Sequence, residues 1–89
     1  MEKILGWKSF FQRWPASIPK LGILVTSINE SIPFCNFLVS ETGVLAERDR
    51  PDMLGARSAI VLWQDIVTVK LTSPLETARL TELGFRPSS

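Results

Sequence analysis

Glu47, Arg48, Asp49, Arg50, Asp52 and Arg57 form the one local concentration of ionic groups in the chain. The arginines carry planar guanidinium forks that match phosphate or carboxylate oxygens two at a time, so a ligand-binding loop is one use of the stretch. The signs alternate along it, and alternating charges more often lace a solvated hairpin with weak ion pairs, which is the expected role here. Asp49 and Asp52 lack the further spaced oxygen donors of a calcium loop, so no metal is expected. Trp63 is the second candidate. It ends an apolar run beside the polar pair Gln64 and Asp65, where an indole can stack on a base or another planar ligand. The commoner fate of such a tryptophan is a core or a subunit interface, because it buries so much apolar area. Arg48, Arg50, Arg57 and Trp63 together are the contact set of a nucleic-acid-binding reading.

Catalytic chemistry has little to work with. The chain has no histidine, which removes the commonest general base and the commonest metal ligand. Cys35, the only cysteine, stands between Phe34 and Asn36 with no neighbouring basic side chain to activate it, and reads as a buried structural thiol. A single cysteine fits a reducing compartment, and a cytoplasmic protein is expected. No activated nucleophile, acid–base pair or phosphate-cradling glycine loop can be assembled, so neither an enzyme nor a cofactor is predicted. A small-molecule ligand is not identified. The net charge of +1 gives no global field towards nucleic acid or an anionic membrane, so any such site must be local. No apolar run approaches the roughly 18 to 20 residues needed to cross a bilayer, and the first residues do not read as a signal peptide.

These side chains need a scaffold, and 89 residues suit one small domain over residues 1–89. Residues 2–14 predict an amphipathic helix with Ile4, Trp7, Phe11 and Trp14 on one stripe; Gly6 weakens it and Pro15 ends it. The aromatic stripe is expected to pack on a sheet. Residues 23–28, 32–40, 44–48, 59–63 and 66–72 predict five short strands, rich in β-branched and aromatic residues and joined by turns. Gln64 and Asp65 make the tightest turn, as between antiparallel neighbours. Pro33 cannot donate to a ladder, so it belongs at a strand start or a sheet edge. Residues 49–58 predict an extended hairpin tip. Residues 73–84 predict a closing helix, with Ser73, Pro74 and Glu76 as cap, first and third residues and Gly84 as the left-handed C-cap.

A leading helix followed by five short antiparallel strands over residues 2–72 resembles the Sm-like fold, a strongly bent small barrel related to SH3-like barrels. The stretch Ile60 to Leu71, IVLWQDIVTVKL, looks like that family's second motif, and Gly22 before Leu24 and Val25 stands where its first strand has a glycine. The resemblance implies a mainly β chain: an N-terminal helix (1–14), a five-stranded bent antiparallel sheet (21–72) and a short C-terminal helix (73–84). It also implies a homo-oligomer whose last two strands pair with neighbouring subunits. The family's RNA-contact pairs are absent: the first place reads Ser40, Glu41, Thr42, Gly43 and the second Trp63, Gln64, Asp65. Nucleic acid is therefore a possible partner but not the favoured one, and a self-associating interaction module is expected.

Overall fold

The computed structural model describes residues 6–74 and 80–85. Over these residues the chain is mainly β, with one N-terminal helix, α1 (Gly6–Gln12), and two antiparallel sheets of three strands each. In chain order the strands are β1 (Gly22–Thr26), β2 (Ser31–Phe34), β3 (Asn36–Val39), β4 (Gly43–Glu47), β5 (Ser58–Leu62) and β6 (Ile66–Leu71). One sheet has the order β2-β1-β6 and the other β3-β4-β5.

The strand prediction holds in position and fails in number, for a local reason. The expected strand over 32–40 is divided at Cys35, where inward-facing residues slip from the spacing Ile32, Phe34 to Phe37, three positions on. A strand keeps one face every second residue, so this slip bends the chain as a bulge does. The Cys35 N–H still donates to Glu47 O at 2.8 Å, so the bend costs no hydrogen bond at that position. Thus β2 pairs with β1, β3 pairs with β4, and the five predicted strands become six. Cys35 points outwards at the bend and is exposed, which corrects its expected burial.

The second correction lies at Gln64 and Asp65. They do not join antiparallel neighbours: a single 3₁₀ turn, Trp63–Asp65, carries the chain from one sheet to the other. The Ser27 N–H donates to Asp65 O at 2.8 Å and the Trp63 indole N–H to Ser40 O at 3.0 Å, tying the turn to both sheets. Among the described residues β5 pairs only with β4 and β6 only with β1, so the sheets do not close into the expected barrel. Pro33 does lie on an edge strand, opposite Ile23.

Of the predicted helix over 2–14, residues 2–5, with Ile4 of the stripe, lie outside the described residues. The described helix runs Gly6–Gln12; Gly6 has a φ of 63°, in the left-handed region, and the end at Gln12 comes before the restriction that Pro15 imposes. Its aromatic stripe packs as expected. Phe11 is 2% exposed and lies 4.8 Å from Phe37 edge to face, 5.7 Å from Trp14 in a stack, and 5.7 Å from Trp63. Ile18, Leu24, Ile32, Phe34, Val44, Ala46, Val61 and Ile66 complete the described core. The Trp7 indole N–H donates to Ile66 O at 2.8 Å, and Lys8 Nζ lies 2.7 Å from Glu41 Oε1, so α1 is also fixed by polar contacts to the starts of both β6 and the β3–β4 turn. That lysine's hydrogen bond holds the Glu41 carboxyl below its ordinary pKa.

Of the predicted closing helix, Glu76 and its return bond to the Ser73 cap lie outside the described residues. At its far end the described part is Leu80, in α-helical conformation, followed by a 3₁₀ turn, Thr81–Leu83. It ends as expected at Gly84, φ 98°, with the Gly84 N–H donating to Thr81 O at 3.0 Å and the Phe85 N–H to Leu80 O at 3.4 Å, the paired bonds of a left-handed cap.

Two positions test the packing. A Cβ on Gly43 would run into the main chain of Val61 on β5, so Gly43→Ala forces β4 and β5 apart at a cost of about 1–3 kcal/mol. Phe11→Ala removes the ring at the centre of the core and is expected to cost about 3–5 kcal/mol. Denaturant midpoints of the two variants against the parent measure both; parent-like stability of Phe11→Ala would mean that α1 is not part of the cooperative unit.

Candidate functional site

Three surface features surround β5. The first is the hairpin beyond β4 and β5. Register Glu47↔Ser58 continues through the Arg48 N–H to Arg57 O bond at 2.9 Å, so the ladder runs past the ends of both strands. At its apex the Gly55 N–H donates to Asp52 O at 2.9 Å, and Gly55 takes φ 91°, open to glycine and strained for other residues. This is a turn of the common kind that ends in a left-handed residue. Asp52 Oδ1 accepts from the N–H of Leu54 at 2.9 Å and of Ala56 at 2.8 Å. Those main-chain donors, Ala56 first and Leu54 second, hold the Asp52 carboxyl below its ordinary pKa.

Arg48, Arg50 and Arg57 are brought together in this hairpin, as the sequence predicts for residues 49–58 and their flanks. Ion pairs do not lace it: among the described residues none joins these arginines to Asp49 or Asp52, and the Arg48 Nε–H instead donates to Arg50 O at 3.0 Å. Trp63 is not part of the cluster. It lies at the other end of β5 from Arg57, about 20 Å away at the usual strand rise. Its indole N–H is used on Ser40 O and its ring rests on Phe11, so it serves the core, the commoner of its two expected roles. At the apex, between Asp52 and Gly55, stand Met53, 100% exposed, and Leu54, 94% exposed.

The second feature is a groove of about 480 Å³ left where the sheets fail to close. Ile28, Glu30 and Ile32 border it on the β1–β2 side, and Ile60, Leu62 and Asp65 on the other. The β1–β2 turn that forms one wall is held by Thr26, whose Oγ1 accepts from the Glu30 N–H at 3.1 Å, and by Asn29 with φ 65°. The opposite wall is the free edge of β5. Bonds from the Arg48 N–H to Arg57 O and from the Trp63 N–H to Thr42 O bracket the β4–β5 ladder. By antiparallel alternation the groups of Ala59 and Val61 face β4, while those of Ser58, Ile60 and Leu62 face away from it, along the groove.

The third feature is an apolar row on the outer face of the β3-β4-β5 sheet. Leu38, Leu45 and Ile60 are in register across its strands, and Ile60 is 72% exposed and also lines the groove. The groove and the apolar turn escaped sequence reasoning. Met53 and Leu54 were legible in principle, as large apolar residues at the centre of a turn whose flanks are Asp and Gly. The groove was not, because it depends on which sheet each strand joins.

Among the described residues no cluster of three or more cysteine, aspartate or glutamate side chains is placed to hold a metal ion. No helix of the described residues is long and apolar enough to cross a membrane.

The Asp52 bonds give a direct test. Because folding lowers this carboxyl's pKa, its contribution to the turn is complete above the ordinary aspartate value and is lost as pH falls through the lowered one. Amide exchange at Leu54 and Ala56, corrected for intrinsic rate, is expected to speed up in Asp52→Ala at pH 7, and in the parent only under more acid conditions. Equal protection in parent and variant at pH 7 would refute the carboxylate's role. Comparison of the chain with protein-family models, with curated proteins and with solved structures gives no match.

Proposed function

We propose that the chain is a non-catalytic, Sm-like interaction module that self-associates through its sheet edges, with the free edge of β5 receiving the free edge of β6 from a second copy. The observation that carries this reading is the outer edge of β5, with which no described strand pairs, beside an open groove. Main-chain groups of Ser58, Ile60 and Leu62 lie along it, next to the exposed apolar side chains of Ile28 and Ile60. Such an edge recruits a further strand unless something blocks it. Charge supports the choice of strand. Among the described residues the groove has Glu30 and Asp65 on its walls and no lysine or arginine, whereas β6 exposes Val67 and Lys70. A contact between two different edges is head to tail, and it closes into a ring when the rotation per subunit divides a full turn.

The RNA-binding alternative retains three arginines on one hairpin, but the separation of Trp63 from them leaves it without a stacking platform beside the cations.

Ile60→Pro is the discriminating variant. It removes an N–H that faces away from β4, so the β4–β5 ladder survives, and Ile60 contributes little to the core. Sedimentation equilibrium is expected to show a multimer for the parent and a monomer for Ile60→Pro, both with the same circular dichroism spectrum. A parent that is monomeric at micromolar concentration overturns the proposal.

A further inference from the structure

We infer that the 48–57 hairpin is a membrane-docking tip that inserts Met53 and Leu54 into the interface of an anionic bilayer while Arg48, Arg50 and Arg57 engage lipid phosphates. The inference stands apart from self-association, since it uses neither the β5 edge nor the groove.

The starting point is a mismatch between the turn and its residues. The two central positions of an exposed turn ordinarily carry polar or small side chains. Here they carry Met53 and Leu54, wholly or almost wholly in water and without contact to the core. The rest of the turn is well specified: Asp52 Oδ1 binds two main-chain N–H groups, and Gly55 takes the left-handed conformation. A loop held this firmly presents its two apolar side chains at one point of the surface, and little ordering remains to be done when they are buried.

The surroundings indicate what buries them. Arg48 and Arg50 on one arm and Arg57 on the other flank the apex, so cations stand behind the apolar point on both sides. An apolar tip with a basic collar matches the layering of a bilayer surface, where hydrocarbon lies just beneath anionic headgroups. Arginine suits this place because its aliphatic stem tolerates the interface while its guanidinium holds phosphate. Two aspartates stand among the three arginines: Asp52, whose Oδ1 accepts from the main chain, and Asp49, which borders a recess towards β1 and β2, so residues 48–57 carry one more cation than anion. With charges so nearly balanced, binding by phosphate contacts alone is weak, and apolar insertion supplies the rest; this favours a lipid surface over nucleic acid.

The experiment is co-sedimentation of the full chain with phosphatidylcholine vesicles, with and without about 30 mol% phosphatidylserine, at lipid concentrations up to roughly 1 mM. The parent is expected to bind the phosphatidylserine vesicles and to bind plain phosphatidylcholine more weakly. The double variant Met53→Ser, Leu54→Ser is expected to lose at least about tenfold in partition to both. The triple variant Arg48→Ala, Arg50→Ala, Arg57→Ala is expected to lose the preference for phosphatidylserine and the salt dependence that goes with it. All five positions lie outside the core, and unchanged circular dichroism verifies that each variant is folded. Failure of the parent to sediment with either vesicle overturns the inference. So does binding that survives the serine double variant, or a tip that binds single-stranded RNA or a protein but no vesicle.

Discussion

The contact on which the fold most depends is the seating of Phe11 between the two sheets. Neither sheet is closed on itself, so each presents an apolar face that must find a cover, and the bend at Cys35 leaves the two faces looking towards the same space. The Phe11 ring fills it, meeting Phe34 from one sheet and Phe37 from the other, with Trp14 and Trp63 around the rim. Edge-to-face and stacked pairs of this kind add about 0.5–1.5 kcal/mol each to what burial alone supplies. In a domain this small that is a large share of net stability. The polar bonds of α1, from Trp7 to Ile66 O and from Lys8 to Glu41, then serve mainly to fix the angle at which the ring enters.

Much of this was legible in the sequence because it rests on local rules. Five runs of β-branched and aromatic residues marked the strands to within a residue or two, Pro33 marked an edge, Gly84 a left-handed cap, and the stripe Trp7, Phe11, Trp14 a helix that needed a sheet. Even the division of the second strand left a trace. In Ile32, Phe34, Phe37 the apolar spacing changes from two to three, and a strict test of alternation locates the bend there and turns Cys35 outwards.

What was not legible is which strand joins which sheet. A short turn normally joins antiparallel neighbours, so the Gln64–Asp65 connection pointed to β5 beside β6. The decisive contacts are instead long-range: Asp65 accepts from Ser27, and Trp63 reaches back to Ser40. They pull the strands on either side of the turn into different sheets. No pattern within residues 59–72 encodes that choice, and the groove that follows from it was invisible for the same reason. The candidate residues fared according to the range of their interactions. The arginines sit together because a hairpin is local, and Trp63 left the cluster because its partners, Phe11 and Ser40, lie far back along the chain.

The open seam between β5 and the β1–β2 turn is the cost of a fold whose core is supplied from one side. With α1 occupying the space between the sheets, the strands need not converge at the far side to exclude water. The main-chain groups along β5 there are left to the solvent. Water satisfies those groups in an isolated chain, so the seam does not by itself destabilise the fold. It does make the edge reactive towards any strand that offers the same hydrogen bonds together with apolar side chains for Ile28 and Ile60. The usual protections of an edge are a proline, an inward-pointing charge or a covering loop. On β2 the chain uses Pro33, whereas the five residues of β5 are Ser58, Ala59, Ile60, Val61 and Leu62, without a charge or a proline among them.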